Sequence, residues 1–284
     1  MRYLIWTGGL LIVVLIFIFL ISQIADTSFQ KKSNEISNKI LDKSNLDGLE
    51  TISENDIKEL PEPVKRWLRY SQVVGKEKIK TVRLKQMGLM RTKPEQKGMK
   101  TEAVQYFNTE EPSFIWTAQV NMAPLLYFAG RDTYLDGKGH MLIKVLSLFP
   151  VVDGTGDEMN QGTLTRYLGE IIWFPTAALS EYITWEEIDS NNAKATMNYN
   201  GTTASANFEF DEEGRLVEYT CERYYSGDDG YRLEKYHAPV WDYKEFSGIK
   251  IPTKAKAIWR LDTGDYEYYE MEITDLEFNI NNTY

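Results

Sequence analysis

Three groupings of side chains in this 284-residue chain have the types and spacing to do chemistry. Arg131, Asp132, Thr133 and Tyr134 run straight into the glycine turn Asp136-Gly137-Lys138-Gly139. An Arg and a Tyr so placed can line the mouth of a ligand site, and the same run also reads as a strand with an ion pair entering a hairpin. Arg166 and Glu170 stand one helical turn apart, with Trp173 close behind. A buried carboxylate beside a guanidinium can act as an acid or base. An i, i+4 pair of this kind equally clamps a helix to a sheet or decorates a solvated face. The third grouping is the aromatic excess, which includes Trp67, Trp116, Trp173, Trp185, Trp241 and Trp259. Aromatics line lipid-sized cavities and also fill ordinary cores. The candidate ligand-binding residues are therefore Arg131, Tyr134, Arg166, Glu170 and Trp173, and no residue is singled out as catalytic.

Other chemistries find little material. The only histidines, His140 and His237, are far apart in sequence, Cys221 is the one thiol, and there is no CxxC pair or HExxH helix, so no metal site is expected. In the calcium-loop-like run from Lys43 to Gly48, Lys43 stands where the first ligand should be. Gly154-Thr155-Gly156 is a lone fragment of a dinucleotide fingerprint, and there is no GxSxG elbow, so no cofactor is expected. A carboxylate-based hydrolase would need two of Asp153, Asp157, Glu158 and Glu170 to converge in a pocket, with Arg166 holding an anion. The formal net charge of −10 argues against nucleic acid as a partner and against broad adhesion to anionic lipid.

The elements that must position these groups are mostly strands. From Gly75 onward, period-two runs recur at Val82 to Met87, Thr101 to Phe107, Ser113 to Val120, Leu126 to Tyr134 and Met141 to Leu148. A second set covers Lys194 to Tyr199, Ser205 to Phe210, Arg215 to Tyr225, Arg232 to Tyr243, Lys254 to Leu261 and Asp265 to Phe278. Turn signals between them, such as Asp136-Gly137, Asn200-Gly201, Asp229-Gly230 and Thr263-Gly264, favour hairpins and an antiparallel sheet. One helix interrupts the strands. Leu164, Tyr167, Leu168, Ile171 and Ile172 form one apolar face, Asp157 can cap the start, and Pro175 stops it. A shorter helix opens the domain at Pro61-Glu62-Pro63, with Val64, Trp67 and Leu68 on one stripe. The expected fold class is α+β: a large antiparallel sheet that curls, with a few helices covering its concave face.

The N-terminus reads differently. From Leu4 to Ile24 there is no charged side chain, long enough for a helix to span a hydrocarbon core of about 30 Å. The exit Ser22-Gln23-Ile24-Ala25 is a poor cleavage site, which favours an uncleaved anchor over a signal peptide. The expected organisation is a transmembrane helix over 1–25, a polar and partly helical spacer over 26–59, and the sheet domain over 60–284. A very short N-terminal tail favours a domain outside the cytoplasm, while Lys31, Lys32 and Lys39 behind the segment oppose it.

Several motifs resemble an uncharacterised bacterial family of membrane-anchored proteins known as a domain of unknown function (DUF6544-like). They are Leu60-Pro61-Glu62-Pro63-Val64 with Arg66-Trp67-Leu68-Arg69-Tyr70-Ser71, the run Arg131 to Leu142, and the block Gly162 to Ala177 followed by Trp185-Glu186-Glu187-Ile188-Asp189. Phe210 to Arg215 and Gly248 to Thr253 belong with them, so the resemblance spans residues 60 to 280. It implies no activity and no catalytic residue. By its order of strands and helix the chain also resembles bacterial lipoprotein carriers of the LolA and LolB type. That resemblance implies a half-barrel closed by helices over an apolar cavity. Those carriers are soluble or lipid-anchored, whereas a transmembrane helix is expected here.

Three readings of function follow. The first is a membrane-anchored protein that binds a hydrophobic ligand, a lipid or lipidated protein, in a half-barrel outside the cytoplasm. Its helix over 157–174 would act as a lid on a dry cavity with few ionisable side chains. The second is an envelope module that senses or binds a protein partner without a ligand cavity. The third is the carboxylate-based hydrolase.

Overall fold

The computed structural model describes residues 2–227 and 230–284, with side chains from residue 16 onward. Its centre is a 13-stranded antiparallel sheet. In chain order the strands are β1 (Thr81–Met90), β2 (Met99–Asn108), β3 (Ser113–Ala123), β4 (Leu126–Leu135), β5 (Lys138–Val145) and β6 (Phe149–Gly154). The second series is β7 (Ile183–Glu187), β8 (Asn192–Tyr199), β9 (Thr202–Phe210), β10 (Leu216–Gly227), β11 (Gly230–Phe246), β12 (Ile249–Leu261) and β13 (Gly264–Phe278). Each strand pairs with its sequence neighbour, except that β1 joins β13 in the middle and β6 and β7 are the two edges. Tight turns drive this meander. At Asp136-Gly137 (φ 55 and 80) and Asn200-Gly201 (φ 47 and 79), both central residues take the left-handed backbone that a two-residue hairpin requires. Asp229 lies outside the described residues, and with it the expected Asp229-Gly230 turn.

The sheet is strongly curved. Flat, β4 and β11 would stand roughly 29 Å apart, six steps of about 4.8 Å. Instead both border one cavity. At the edge, a Cβ added to Gly154 of β6 would lie 3.2 Å from the Tyr231 hydroxyl of β11. The chain leaves β6 as helix α4 (Asp157–Glu170), continues through short 3-10 turns at Ile171–Trp173 and Pro175–Leu179, and re-enters the sheet as β7. The interruption in the strand series is thus the segment that links the two edges across the concave face.

Four helices are described. Helix α1 (Arg2–Leu41) precedes the one-turn helix α2 (Glu54–Ile57), α3 (Glu62–Tyr70) and α4. The α3 stripe Val64, Trp67 and Leu68 is fully buried as expected, with Trp67 ringed by Trp185, Phe208 and Phe210 at 5.8 to 6.5 Å. The main core lies between the concave face and α3 and α4, and contains Phe107, Phe114, Tyr167, Leu168, Phe174 and Phe208.

Several expectations need correction. Strands β6 and β7 were not foreseen: β6 exposes Phe149, Val151 and Val152 with no alternation, and β7 is only five residues long. Asp157 does not cap α4. Gly156 (φ 114) holds the cap position, and Asp157 is the first helical residue.

Much of the stretch expected as spacer belongs to α1, whose C-terminal half lies on the outer face of the sheet. Phe29 packs with Ala129 and Leu142, and Ile40 and Leu41 pack with Tyr106 and Ile115. Asn108 Nδ2 donates to the Ile40 carbonyl at 2.9 Å, satisfying one of the open acceptors at the helix end. Among the described residues no helix is long and apolar enough to cross a membrane. The side chains of residues 1–15, which make up most of the expected span, lie outside those described.

Candidate functional site

Period-two alternation in the strands delivers polar groups to the concave face at intervals. Gln86 on β1, Gln105 on β2, Trp116 on β3 and Asp132 on β4 all point inward and are buried. Helix α4 brings Arg166 and Glu170 down onto them. Arg166 Nη1 donates to Asp132 Oδ2 at 2.5 Å, and Arg166 Nε donates to Glu170 Oε1 at 2.8 Å. Gln105 Nε2 donates to Glu170 Oε2 at 2.8 Å, and Gln86 Nε2 donates to Gln105 Oε1 at 3.2 Å. Trp116 Nε1 and the Tyr269 hydroxyl both donate to Gln86 Oε1, at 3.0 and 3.4 Å. The guanidinium of Arg166 also lies over the rings of Phe114 and Trp116. Together these contacts form one hydrogen-bonded chain from α4 across five strands, β4, β3, β2, β1 and β13.

Burial sets the electrostatics of this chain. It works against the charge of Arg166, but Glu170 and Asp132 outweigh it and hold the guanidinium protonated. Burial pushes the Glu170 carboxyl up from its ordinary value, against the opposing pull of Arg166 and Gln105. Both Glu170 oxygens are engaged, so the carboxylate has the arrangement of a structural clamp. Asp132 Oδ1 is buried and has no partner among the described residues.

Beside the clamp is a cavity of about 360 Å³. Its walls are Met90, Met99, Val120, Phe128, Met141, Ile143, Ile172 and Met271, with the rings of Trp116, Trp173, Tyr219, Tyr236, Tyr268 and Tyr269. Small residues Gly130, Ala238, Ala255 and Ala257 make the room. A Cβ at Gly130 would meet only Trp116 at 3.5 Å and the Ala118 carbonyl at 3.9 Å, ordinary contact distances. The volume falls in the range of about 300–1,000 Å³ common for small-molecule sites.

Of the candidate residues, Arg166, Glu170 and Trp173 border this cavity together. Arg131 also borders it, but its guanidinium lies 5.1 Å over the ring of Phe29 in α1, on the outer face. Tyr134 does not border the cavity: it is fully buried and packs with Tyr199 at 6.4 Å. Among Asp153, Asp157, Glu158 and Glu170, only Glu170 reaches the cavity; Asp153 and Asp157 are exposed, and Asp153 pairs with His140 at 2.7 Å. The hydrolase arrangement of two converging members of that set is therefore absent.

Two features of the expected cavity also change. It holds ionisable groups, because Asp132, Arg166, Glu170 and Arg223 line it. Helix α4, expected as a lid, forms one wall of the cavity. It is tied by Arg166 to Asp132, by Asn160 Oδ1 accepting from the Gly139 amide, and by the Tyr167 hydroxyl donating to the Asn108 carbonyl.

Arg223 was missed by the sequence reading. Its Nε donates to the Gly162 carbonyl at 3.0 Å, and its guanidinium lies over Tyr236 and Trp259. No carboxylate forms an ion pair with it among the described residues. The signal was available: Tyr219, Cys221, Arg223 and Tyr225 share one strand face, and a charge amid that set is out of place.

A family model matches residues 50–271. The chain belongs to the family of unknown function DUF6544. Among curated proteins none matches this DUF6544 chain. Solved structures with a similar course include a LolA superfamily protein from Nitrosomonas europaea, 12% identical, covering 76% of this chain and 93% of its own, with a TM-score of 0.41. A DUF1329 family protein from Desulfovibrio piger is 9% identical and covers 78% of this chain and 93% of its own, with a TM-score of 0.42. The family resemblance noted from the sequence is thus borne out.

Proposed function

We propose that this protein holds one hydrophobic ligand, a lipid or the acyl chain of a lipidated protein, in the half-barrel cavity. The observation that carries this reading is the cavity itself: about 360 Å³ bounded by methionine, aliphatic and aromatic side chains inside a curved sheet. Removing apolar ligand surface from water there would contribute roughly 25 cal/mol per Å². Arg223 is the group we assign to the polar end of the ligand. It is buried, it lacks a carboxylate partner among the described residues, and it borders the same space.

We further infer that the apolar run Leu4 to Ile24 anchors the chain in the membrane, with the sheet domain outside the cytoplasm. The uncharged length of the run supports the anchor.

The test is lipid extraction and mass spectrometry of the full chain purified from a bacterial membrane, compared with Gly130→Leu. Gly130 borders the cavity, and a Cβ there meets Trp116 and the Ala118 carbonyl at ordinary contact distances. A lipid present at one per chain in the natural protein and depleted in Gly130→Leu is the expected outcome. Equal lipid content in both proteins would overturn the reading.

A further inference from the structure

We infer that the mouth of the cavity sits against the lipid bilayer, so that ligand passes directly between membrane and half-barrel; this rests on the membrane anchor and the ligand cavity proposed above. The argument begins with the direction of α1. Its C-terminal end lies at one end of the sheet, where Lys43 pairs with Glu111 in the β2–β3 turn and with Asp136 in the β4–β5 turn, each at 2.6 Å. Seventeen positions before Lys43, at Asp26, the contacts of the helix move to the other end. Asp26 Oδ1 accepts from Ser147 Oγ at 2.7 Å in the β5–β6 turn, and Phe29 packs with Tyr127 near the start of β4. The helix N-terminal to Asp26 therefore leaves the domain at the β5–β6 end of the sheet.

That end is also where the cavity opens. Met90, Thr92, Met99, Val120, Phe128 and Val151 border it, and they stand next to the β1–β2, β3–β4 and β5–β6 turns. The same turns expose apolar side chains that the fold does not use. Leu125, at the tip of the β3–β4 hairpin, is 78% exposed; Phe149, in the first position of β6, is 64% exposed; Met122 and Val151 are exposed beside them. Leu125 also sits at φ 63, a left-handed conformation that costs a leucine and that a glycine or asparagine would adopt with less strain. The outward apolar surface continues onto α1, where Phe17, Leu20 and Ile24 are exposed.

Lys93, Lys97 and Lys100 are exposed in and beside the β1–β2 turn, next to Glu95 and Glu102, and the neighbouring β12–β13 turn exposes Asp262 and Asp265. The lysines of the β1–β2 turn give anionic headgroups a local partner at an end that carries both signs, on a chain of net charge −10. Apolar tips flanked by lysines, on the end from which the apolar helix leaves, are the chemistry of a membrane-seated surface.

The experiment uses the full chain in vesicles of phosphatidylethanolamine and phosphatidylglycerol, with Cys221→Ala removing the one natural thiol. Spin labels are attached at Leu125→Cys or Val151→Cys on the rim, and at Lys138→Cys at the opposite end. The expected result is that the two rim labels lose collisions with a water-soluble nickel chelate and gain collisions with oxygen, while the label at 138 stays accessible to the chelate. Rim labels as open to the chelate as the label at 138, or a chain that does not enter the vesicles, would overturn the inference. The lipid content of the same samples is read separately. An aqueous rim with lipid still retained removes the membrane seat alone. A seated rim with an empty cavity upholds the seat and removes the ligand reading alone.

Discussion

Arg166 Nη1 donates to Asp132 Oδ2 at 2.5 Å, tying α4 to β4 across the concave face. Asp132 is almost wholly buried and Arg166 largely so, and Glu170 accepts from the Arg166 Nε at 2.8 Å. One guanidinium thus serves two acids, and the helix that links the sheet edges is fixed in place.

Removing Asp132 should therefore be costly. Breaking a buried pair costs on the order of 3–5 kcal/mol when a charge is left unpaired. Because Glu170 still compensates Arg166, Asp132→Ala should fall at the lower end, about 3 kcal/mol. Asp132→Asn, which keeps an acceptor, should lose less. The urea midpoint of each variant, at unchanged slope, checks both values.

Glu170 should make stability depend on pH. Burial raises its carboxyl pKa, so the folded state holds that proton more tightly than the unfolded chain does. The contribution is fully present below the ordinary glutamate value of about 4.3 and is lost as pH rises through the raised folded value. Glu170→Gln, which cannot ionise, should flatten this part of the curve. Thermal melts of both proteins across the acid range would show it, and parallel curves would count against it.

Gly169 should gain no stability from alanine. A Cβ there would lie 2.3 Å from Tyr219 Cζ, and that ring is held between Phe208 and Tyr236 at 5.9 and 6.0 Å. Overpacking of this kind costs about 1–3 kcal/mol, against a helix-propensity gain of about 1 kcal/mol. Gly169→Ala should therefore be net neutral to destabilised by about 2 kcal/mol, whereas an exposed helical glycine would gain. Denaturant unfolding gives the sign.

Arg223 should select for an acidic ligand end. Arg223→Leu keeps much of the side chain's bulk and removes the charge from the cavity wall. Mass spectrometry of bound lipids should then show acidic species depleted relative to neutral ones, with total occupancy less affected. An unchanged lipid profile would remove Arg223 from the site.

A good part of this molecule is determined by the sequence alone, because its signals are local. Alternation from Val82 to Gln86 selects the buried face of β1. Asp136-Gly137 and Asn200-Gly201 specify hairpins through backbone conformation, and the spacing of Val64, Trp67 and Leu68 specifies the buried stripe of α3. Alternation also carries a warning about the candidate site: Arg131 and Tyr134 are three apart on one strand, so they face opposite sides and cannot share a pocket wall through their side chains.

Only the tertiary structure decided the rest. Period two says which residues share a face, but not which face becomes the inside; that follows from the pairing of β1 with β13, which joins the beginning and end of the strand series. The burial of Arg166 and Glu170 depends on Asp132 and Gln105, 34 and 65 positions away, arriving beneath the helix. The same curvature brings Arg223 to the cavity that β4 borders. A cavity is space left by many long-range packings at once, and no local pattern of residue types encodes it.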